Sequence, residues 1–212
     1  MSLPAALLSR APHRDKPLLS VMGELSLARM RVHELCGQAR RTLALWIAGA
    51  VQRAEAGPVI WAAPAWEPDG LFAPGMAALC QPERFLFVHA RRPEDILWTL
   101  EEVLRSGAVP LVVGDLPGLP TLTQVRRMHL AAETGAAELG GAPLGLLLTP
   151  GAEGGAPGGE SRWALDPAHR PGAERWRLTR LRARTAPVKG WDVAMGSTGA
   201  VVTSARDTAR PG

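Results

Sequence analysis

Lysine is nearly missing from this chain. Of its 24 basic side chains only Lys16 and Lys189 are lysines; the other 22 are arginine. Lys16 precedes Pro17 and Lys189 lies far downstream, so neither can serve a phosphate-cradling loop of the GxxxxGK[ST] type, whose lysine neutralises the phosphates that the glycine amides approach. Cysteine is almost as scarce. Cys36 and Cys80 cannot build a disulfide framework or a four-ligand zinc site, and both are expected to be reduced, buried, inert thiols. Long apolar runs are lacking too. Stretches such as Leu43–Val51 fall well short of the ~20 residues of a membrane-crossing helix. In the opening MSLPAALLSRAPHRDK the basic residues follow the apolar run, the reverse of a secretory signal, which predicts a cytoplasmic protein without membrane contact.

What is present suits a globular domain. The 212 residues are 46% hydrophobic and 21% charged, enough to bury roughly 70% of the unfolded surface. A pI near 10.0 permits contact with nucleic acid or an acidic partner without demanding it.

Along the chain, residues 1–25 read as an N-terminal arm interrupted by Pro4, Pro12, Pro17 and Gly23, and Leu25–Arg31 could begin a helix. Residues 26–149 read as one α/β core. Arg31–Cys36 is a short strand. Arg40–Ala54 is a helix with Leu43, Ile47, Ala50, Val51 and Ala54 on one face. Val59–Ala63 is a buried strand, Ala65–Gly70 a loop, Leu71–Cys80 a short helix and Phe85–His89 a second buried strand. The strongest helix starts with Pro93, Glu94 and Asp95. It carries Ile96, Leu97, Leu100, Val103 and Leu104 as its stripe and ends at Gly107. Val109–Val113 is a strand followed by a turn through Gly118. Thr121 and Gln124 form a capping box for a helix running to about Gly135, and Leu144–Leu148 is a further strand. Apolar strands alternating with amphipathic helices predict a mainly parallel sheet covered on both faces. Residues 150–160, PGAEGGAPGGE, read as a flexible loop with no packing capacity. Ser161–Leu165, Glu174–Arg184 and Trp191–Met195 read as an antiparallel extension, residues 161–195, and 196–212 as a flexible tail.

The candidate nucleotide site is VHELCGQARRTLAL, Val32–Leu45. Gly37 could open a phosphate loop and Thr42 close it, but four residues separate them where the motif has six, and the second glycine is absent. Arg40 and Arg41 supply charge without the lysine's reach. Asp115, at the end of AVPLVVGDL, stands where a magnesium-ordering aspartate would; without a phosphate loop opposite, it reads as the start of a turn. Gly37, Arg40, Arg41, Thr42 and Asp115 therefore make a degenerate, inactive nucleotide site, and no cofactor, metal or catalytic residue is expected. His13, His33, His89, His129 and His169 show no HxxxH or HExxH spacing; His33 and His89 are expected to be satisfied core histidines, and Glu101-Glu102 to lie on a solvated helix face. The remaining feature is basic. Arg162, Arg170, Arg175, Arg177, Arg180, Arg182 and Arg184 are interleaved with Trp163 and Trp176, a combination that suits a protein partner, nucleic acid or a charge-protected sheet edge.

PEDILWTLEEVLRSGAVPLVVGDL (Pro93–Leu116) resembles the RecA core, with Asp115 falling on its Walker B aspartate and Val32–Leu45 on its phosphate loop, here shortened. LWTLEEVLRSGA (Leu97–Ala108), VRRMHLAAETG (Val125–Gly135), SRW (Ser161–Trp163) and RWRLTRLRAR…GWDV (Arg175–Val193) more specifically resemble the ImuA family, the RecA-like proteins of bacterial SOS mutagenesis cassettes. That resemblance implies a non-catalytic adaptor in error-prone translesion DNA synthesis. Its partners would be an ImuB-like relative of Y-family polymerases, RecA and an error-prone C-family polymerase. DNA contact would be mainly indirect, and self-association is open. It also points to Trp163, Arg175, Trp176, Arg177, Arg180, Arg182 and Arg184 as partner contacts. A SulA-like inhibitor of cell division after SOS induction and a divergent RecA-type ATPase are the alternatives.

Overall fold

The structure, a computed structural model, describes residues 17–196 and 199–206. Nine strands form one sheet in the order β11-β10-β9-β8-β3-β7-β6-β4-β5. β3 (Arg31–Cys36), β4 (Val59–Pro64), β5 (Phe85–Ala90), β6 (Leu111–Asp115), β7 (Leu144–Leu148) and the start of β8 (Ser161–Pro167) run parallel. β9 (Arg175–Ala183), β10 (Lys189–Gly196) and β11 (Gly199–Arg206) continue it antiparallel. The predicted class, a mainly parallel sheet flanked by helices with a C-terminal antiparallel extension, is the one observed.

Strand periodicity divides the core in two. Val32, Ile60, Val112 and Leu147 face α3 (Pro93–Ser106) and α4 (Leu122–Leu139). Leu35, Trp61, Val113, Leu146 and Leu148 face α1 (Arg40–Ala54) on the other side. α1 is buried nearly all round, from Leu43 to Gln52, because a hairpin of β1 (Leu18–Met22) and β2 (Leu25–Ala28) covers its outer side. Its apolar stripe is therefore wider than the sequence suggested, and Ala54, assigned to it, is exposed.

α4 starts with the expected capping box: Thr121 Oγ1 accepts from Gln124 N, and Gln124 Oε1 from Thr121 N at 2.7 Å. α3 ends at Gly107 in the left-handed conformation, φ 63°. There the two helices cross backbone to backbone. A Cβ on Gly107 would collide with Gly135 O, and one on Gly135 with Leu104 O. The glycines of RSGA and AETG thus set the approach of α3 to α4.

Four expectations need correction. Leu25–Arg31 is not helical; Leu25 and Leu27 alternate inward, so the segment folds as β2, and part of the 1–25 arm is structured as β1. Residues 1–16 of that arm lie outside the described residues. Leu71–Cys80 is helical only at α2 (Ala73–Met76), since Pro74 and Gly75 support no longer helix. The 196–212 tail contains β11, which pairs with β10 from Gly190↔Arg206 to Gly196↔Gly199; residues 197–198 and 207–212 lie outside the described residues. The Gly/Pro-rich stretch 150–160 packs against β3, with Ala156 1% exposed.

Gly107→Ala should destabilise the fold by ~2–4 kcal/mol, combining the left-handed backbone cost with the collision at Gly135. Urea unfolding checks this; Gly118→Ala, where a Cβ meets open space, should be near neutral.

Candidate functional site

Open α/β sheets gather ligands at the carboxyl ends of their parallel strands. β3 ends at Cys36 and passes through Gly37–Ala39 into α1, while β6 ends at Asp115. Three of the five predicted nucleotide-site residues converge here: Arg41 Nε lies 2.5 Å from Asp115 Oδ2, and Arg40 Nη2 lies 3.6 Å from Oδ1. Arg41 Nη1 also donates to Asp69 O at 3.0 Å. Asp115 is 3% exposed, so its charge is compensated locally by two guanidinium groups. Gly37 opens the turn, and Thr42 lies half-buried in the first turn of α1.

The amides of this turn are engaged by the chain itself. Gly37 N donates to Gly151 O at 2.9 Å, Gln38 N to the Asp166 carboxylate at 2.9 Å, Ala39 N to Leu165 O at 2.9 Å and Arg40 N to Gly37 O at 3.3 Å. Asp166, from β8, puts a carboxylate on a helix N-terminus, a place that favours negative charge. Gly37 has φ 85°, and a Cβ there would stand 2.5 Å from Leu165 O. The end of β8 thus covers the turn. Nothing local in Val32–Leu45 signals this, because the covering residues are more than a hundred positions downstream.

Behind the turn, Glu34 is 1% exposed. Its Oε1 accepts from Thr149 Oγ1 at 2.7 Å, Gly155 N at 2.6 Å and Ala156 N at 2.8 Å; its Oε2 accepts from Arg162 Nε at 2.5 Å. Sequence reasoning placed Glu34 in a strand and missed this arrangement, which is why 150–160 was misread as flexible.

The predicted partner contacts divide. Trp163 and Trp176 are 2% and 7% exposed, packed into the core on the α1 side of the sheet. Trp46 meets Trp176 edge-on at 5.1 Å, and Trp163 stacks on Trp191 at 5.7 Å. Arg180, 7% exposed, lies 5.6 Å and 5.2 Å from the centroids of Trp163 and Trp191, and its Nε donates to Pro187 O at 3.0 Å. These three cannot touch a partner in this fold. The alternation in RWRLTR sends Trp176, Leu178 and Arg180 inward by strand period. Arg175, Arg177 and Arg182 are exposed. Arg184 is too, with an ion pair to Glu160 at 3.6 Å.

Among the other titratable groups, His33, Glu101 and Cys36 are structural. His33 is buried with Nε2 2.9 Å from Ala28 O and Nδ1 2.7 Å from Ser161 Oγ, a satisfied core histidine as expected. His89 is not; β5 is an edge strand and leaves it exposed. Glu101 is 7% exposed, not solvated, because α4 brings Arg127 to it alongside Arg105. Cys36 is buried as expected, whereas Cys80 is only half-buried; desolvation pushes the Cys36 thiol up to about 12 and the Cys80 thiol up to about 11, so both stay protonated. Among the described residues no three His, Cys, Asp or Glu side chains converge as metal ligands would, and no helix is long and apolar enough to cross a membrane.

The chain is thus an α/β protein with a parallel sheet whose nucleotide-type turn is covered from within. No family model matches the sequence, and comparison with curated proteins gives no match. Among solved structures it is similar to SulA from Pseudomonas aeruginosa, at 23% identity and a TM-score of 0.45, over 57% of this chain and 98% of that one.

Stability should fall on acidification. Burial lowers the His33 pKa from 6.5 to about 4, against smaller raising effects from the Ala28 carbonyl and Glu160, with His129 and Arg31 lowering it further. Burial lowers that of His129 too. Below about pH 6.5 the unfolded chain binds protons that the fold refuses. The loss should grow until pH 4, reaching on the order of 3 kcal/mol for His33. Urea midpoints measured between pH 7.5 and 4.5 check the direction; His33→Gln should flatten the profile.

Proposed function

We propose that this protein is a non-catalytic, RecA-like adaptor of the ImuA type, acting by protein contacts in SOS-induced error-prone translesion synthesis. The partners of that reading are an ImuB-like protein, RecA and an error-prone C-family polymerase. One observation carries the non-catalytic part: Gly37, Gln38, Ala39 and Arg40 direct their amides to acceptors within the chain, one of them the Asp166 carboxylate. A triphosphate at this turn would have to displace β8 and face that negative charge at close range. Arg40 and Arg41, the cations on the turn's own helix, are already paired with Asp115. The biological setting rests on the ImuA-like runs. In the fold these are α3 with its Gly107 cap, α4 up to Gly135, and strands β8 to β10.

The partner surface consistent with this reading is the exposed row of β9. Arg177 stands opposite Asp166 on one neighbouring strand and Asp192 on the other, and Arg175 opposite Ala194. On this side of β9 both Arg175 and Arg177 are exposed. Arg180 is unsuitable as a probe, since its replacement would break the tryptophan cluster.

Calorimetric titration with ATP and magnesium should give no binding up to millimolar nucleotide. Micromolar binding lost in Thr42→Ala would overturn the non-catalytic reading in favour of an ATPase. Arg175→Gln combined with Arg177→Gln, which sets no like charge opposite Asp166 and Asp192, should change the unfolding midpoint little and weaken capture of an ImuB-like protein at least tenfold. Undiminished capture by the folded double variant counts against this surface. Filamentation on overexpression in cells lacking the polymerase partners would shift the reading to a division inhibitor.

A further inference from the structure

Among the described residues, one edge of the sheet is unprotected. β5 pairs with β4 over all six residues, Val59↔Phe85 to Pro64↔Ala90, without a bulge, and no described strand lies on its other side. Its sequence, FLFVHA, has no proline and no lysine, the usual defences of an edge. Leu86 is 56% exposed and Phe87 45%, one toward each face, so both faces of the edge are apolar. The opposite edge, β11, also exposes an apolar side chain, Val201 at 47%, but it is broken by a bulge at Thr203 and carries the exposed hydroxyls of Thr203 and Ser204. A flat, apolar strand with unpaired backbone groups is a template for a further strand.

We infer that β5 pairs antiparallel with β5 of a second copy of this chain, joining the two sheets into one. Charge complementarity selects this occupant. The exposed Glu83 stands just before the strand and the exposed Arg91 just after it, and neither enters an ion pair among the described residues. Arg84 is already committed to the carbonyls of Gly57, Glu55 and Gln52, and Arg92 to Asp95. Antiparallel self-pairing sets the acidic end of each strand beside the basic end of the other; parallel pairing would set like charges together.

Symmetry then fixes the register. A twofold axis perpendicular to a sheet keeps each side chain on its own face, and opposed residues share a face. The pairing sum must therefore be even. Of the central registers, the one with Phe87 opposite Phe87 brings the 3₁₀ turn Pro82–Arg84, which carries Glu83, to the end of the other strand where Arg91 lies. It also sets Leu86 opposite Val88 and Phe85 opposite His89. Phe87 already stacks on Phe85 at 6.0 Å, so the axis would join two stacked pairs into one aromatic row. This inference is independent of the adaptor reading: nucleotide titration and partner capture leave it untouched.

The test is sedimentation equilibrium of the full chain from micromolar to submillimolar concentration, together with directed cross-linking. The expected mass rises toward twice the 22.5 kDa of the chain. Arg91→Glu should weaken the dimer at least tenfold, and adding Glu83→Arg should restore it. Under mild oxidation Phe87→Cys should give a covalent dimer, because directly opposed antiparallel residues are about 4.5–5.5 Å apart at Cα, within disulfide reach. Leu86→Cys should not, since its opposite residue is Val88. The native Cys36 and Cys80 give the background in the unmutated chain. A monomer at every concentration, cross-linking at 86 as readily as at 87, or no restoration in the swapped pair overturns the proposal.

Discussion

A carboxylate taken fully out of water must be met by donors on all sides, or its burial costs several kcal/mol. Glu34 meets that condition with a hydroxyl, two backbone amides and a guanidinium group. Those donors come from the end of β7, from the glycine-rich stretch and from β8. One buried charge on β3 therefore holds three later segments. It gives an ordered path to a run with little apolar surface of its own, and it keeps β8 beside β3. Only with β8 there can Leu165 and Asp166 lie over the Gly37 turn. Gly154, at φ 63°, has its missing Cβ directly against Glu34 Oε1, so the loop closes on the carboxylate only because no side chain intervenes.

Much of this architecture is legible in the residues themselves. α3, α4 and β7 follow from a proline and two acids, a Thr-Gln capping pair, the glycine stop at Gly107 and a short apolar run, although α4 does not end near Gly135 but runs through it to a cap at Gly140. The structure keeps those elements because each is specified within its own span. The C-terminal tryptophans were harder. Arginine next to tryptophan has the same composition in a recognition patch and in an amphipathic strand, and only the direction of alternate side chains separates the two. That direction is set by which face α1 occupies, which is information outside the segment. The covered turn is the extreme case: its lack of a lysine is visible in Val32–Leu45, but the Asp166 carboxylate that takes the anion's place is not. His89 and Glu101 changed sides for a similar reason. One depends on β5 lying at the sheet edge and the other on α4 crossing α3.

The arginines bear on how the chain's charge is to be understood. A basic pI suggests an electrostatic footprint only if the cations face outward. Here many are structural. Arg84 is spent on three carbonyls at the end of α1 and the turn after it, Arg29 on Glu55 and the carbonyl of Ala142, and Arg31 on Glu133 and Glu160. Arg162 neutralises Glu34, and Arg180 is enclosed by indoles. A planar fork of five donors satisfies several buried carbonyls from one side chain, which an ammonium group does less well. Replacing lysine with arginine throughout therefore supplies internal cross-links as much as surface charge. The basic surface is narrower than 24 basic side chains imply. Arg175 and Arg177 on the open face of β9 are part of it, and that face already includes Asp166 and Asp192. Under the proposed adaptor reading, a surface of mixed sign at close spacing suits a protein with complementary charges better than the uniform phosphate charge of a nucleic acid.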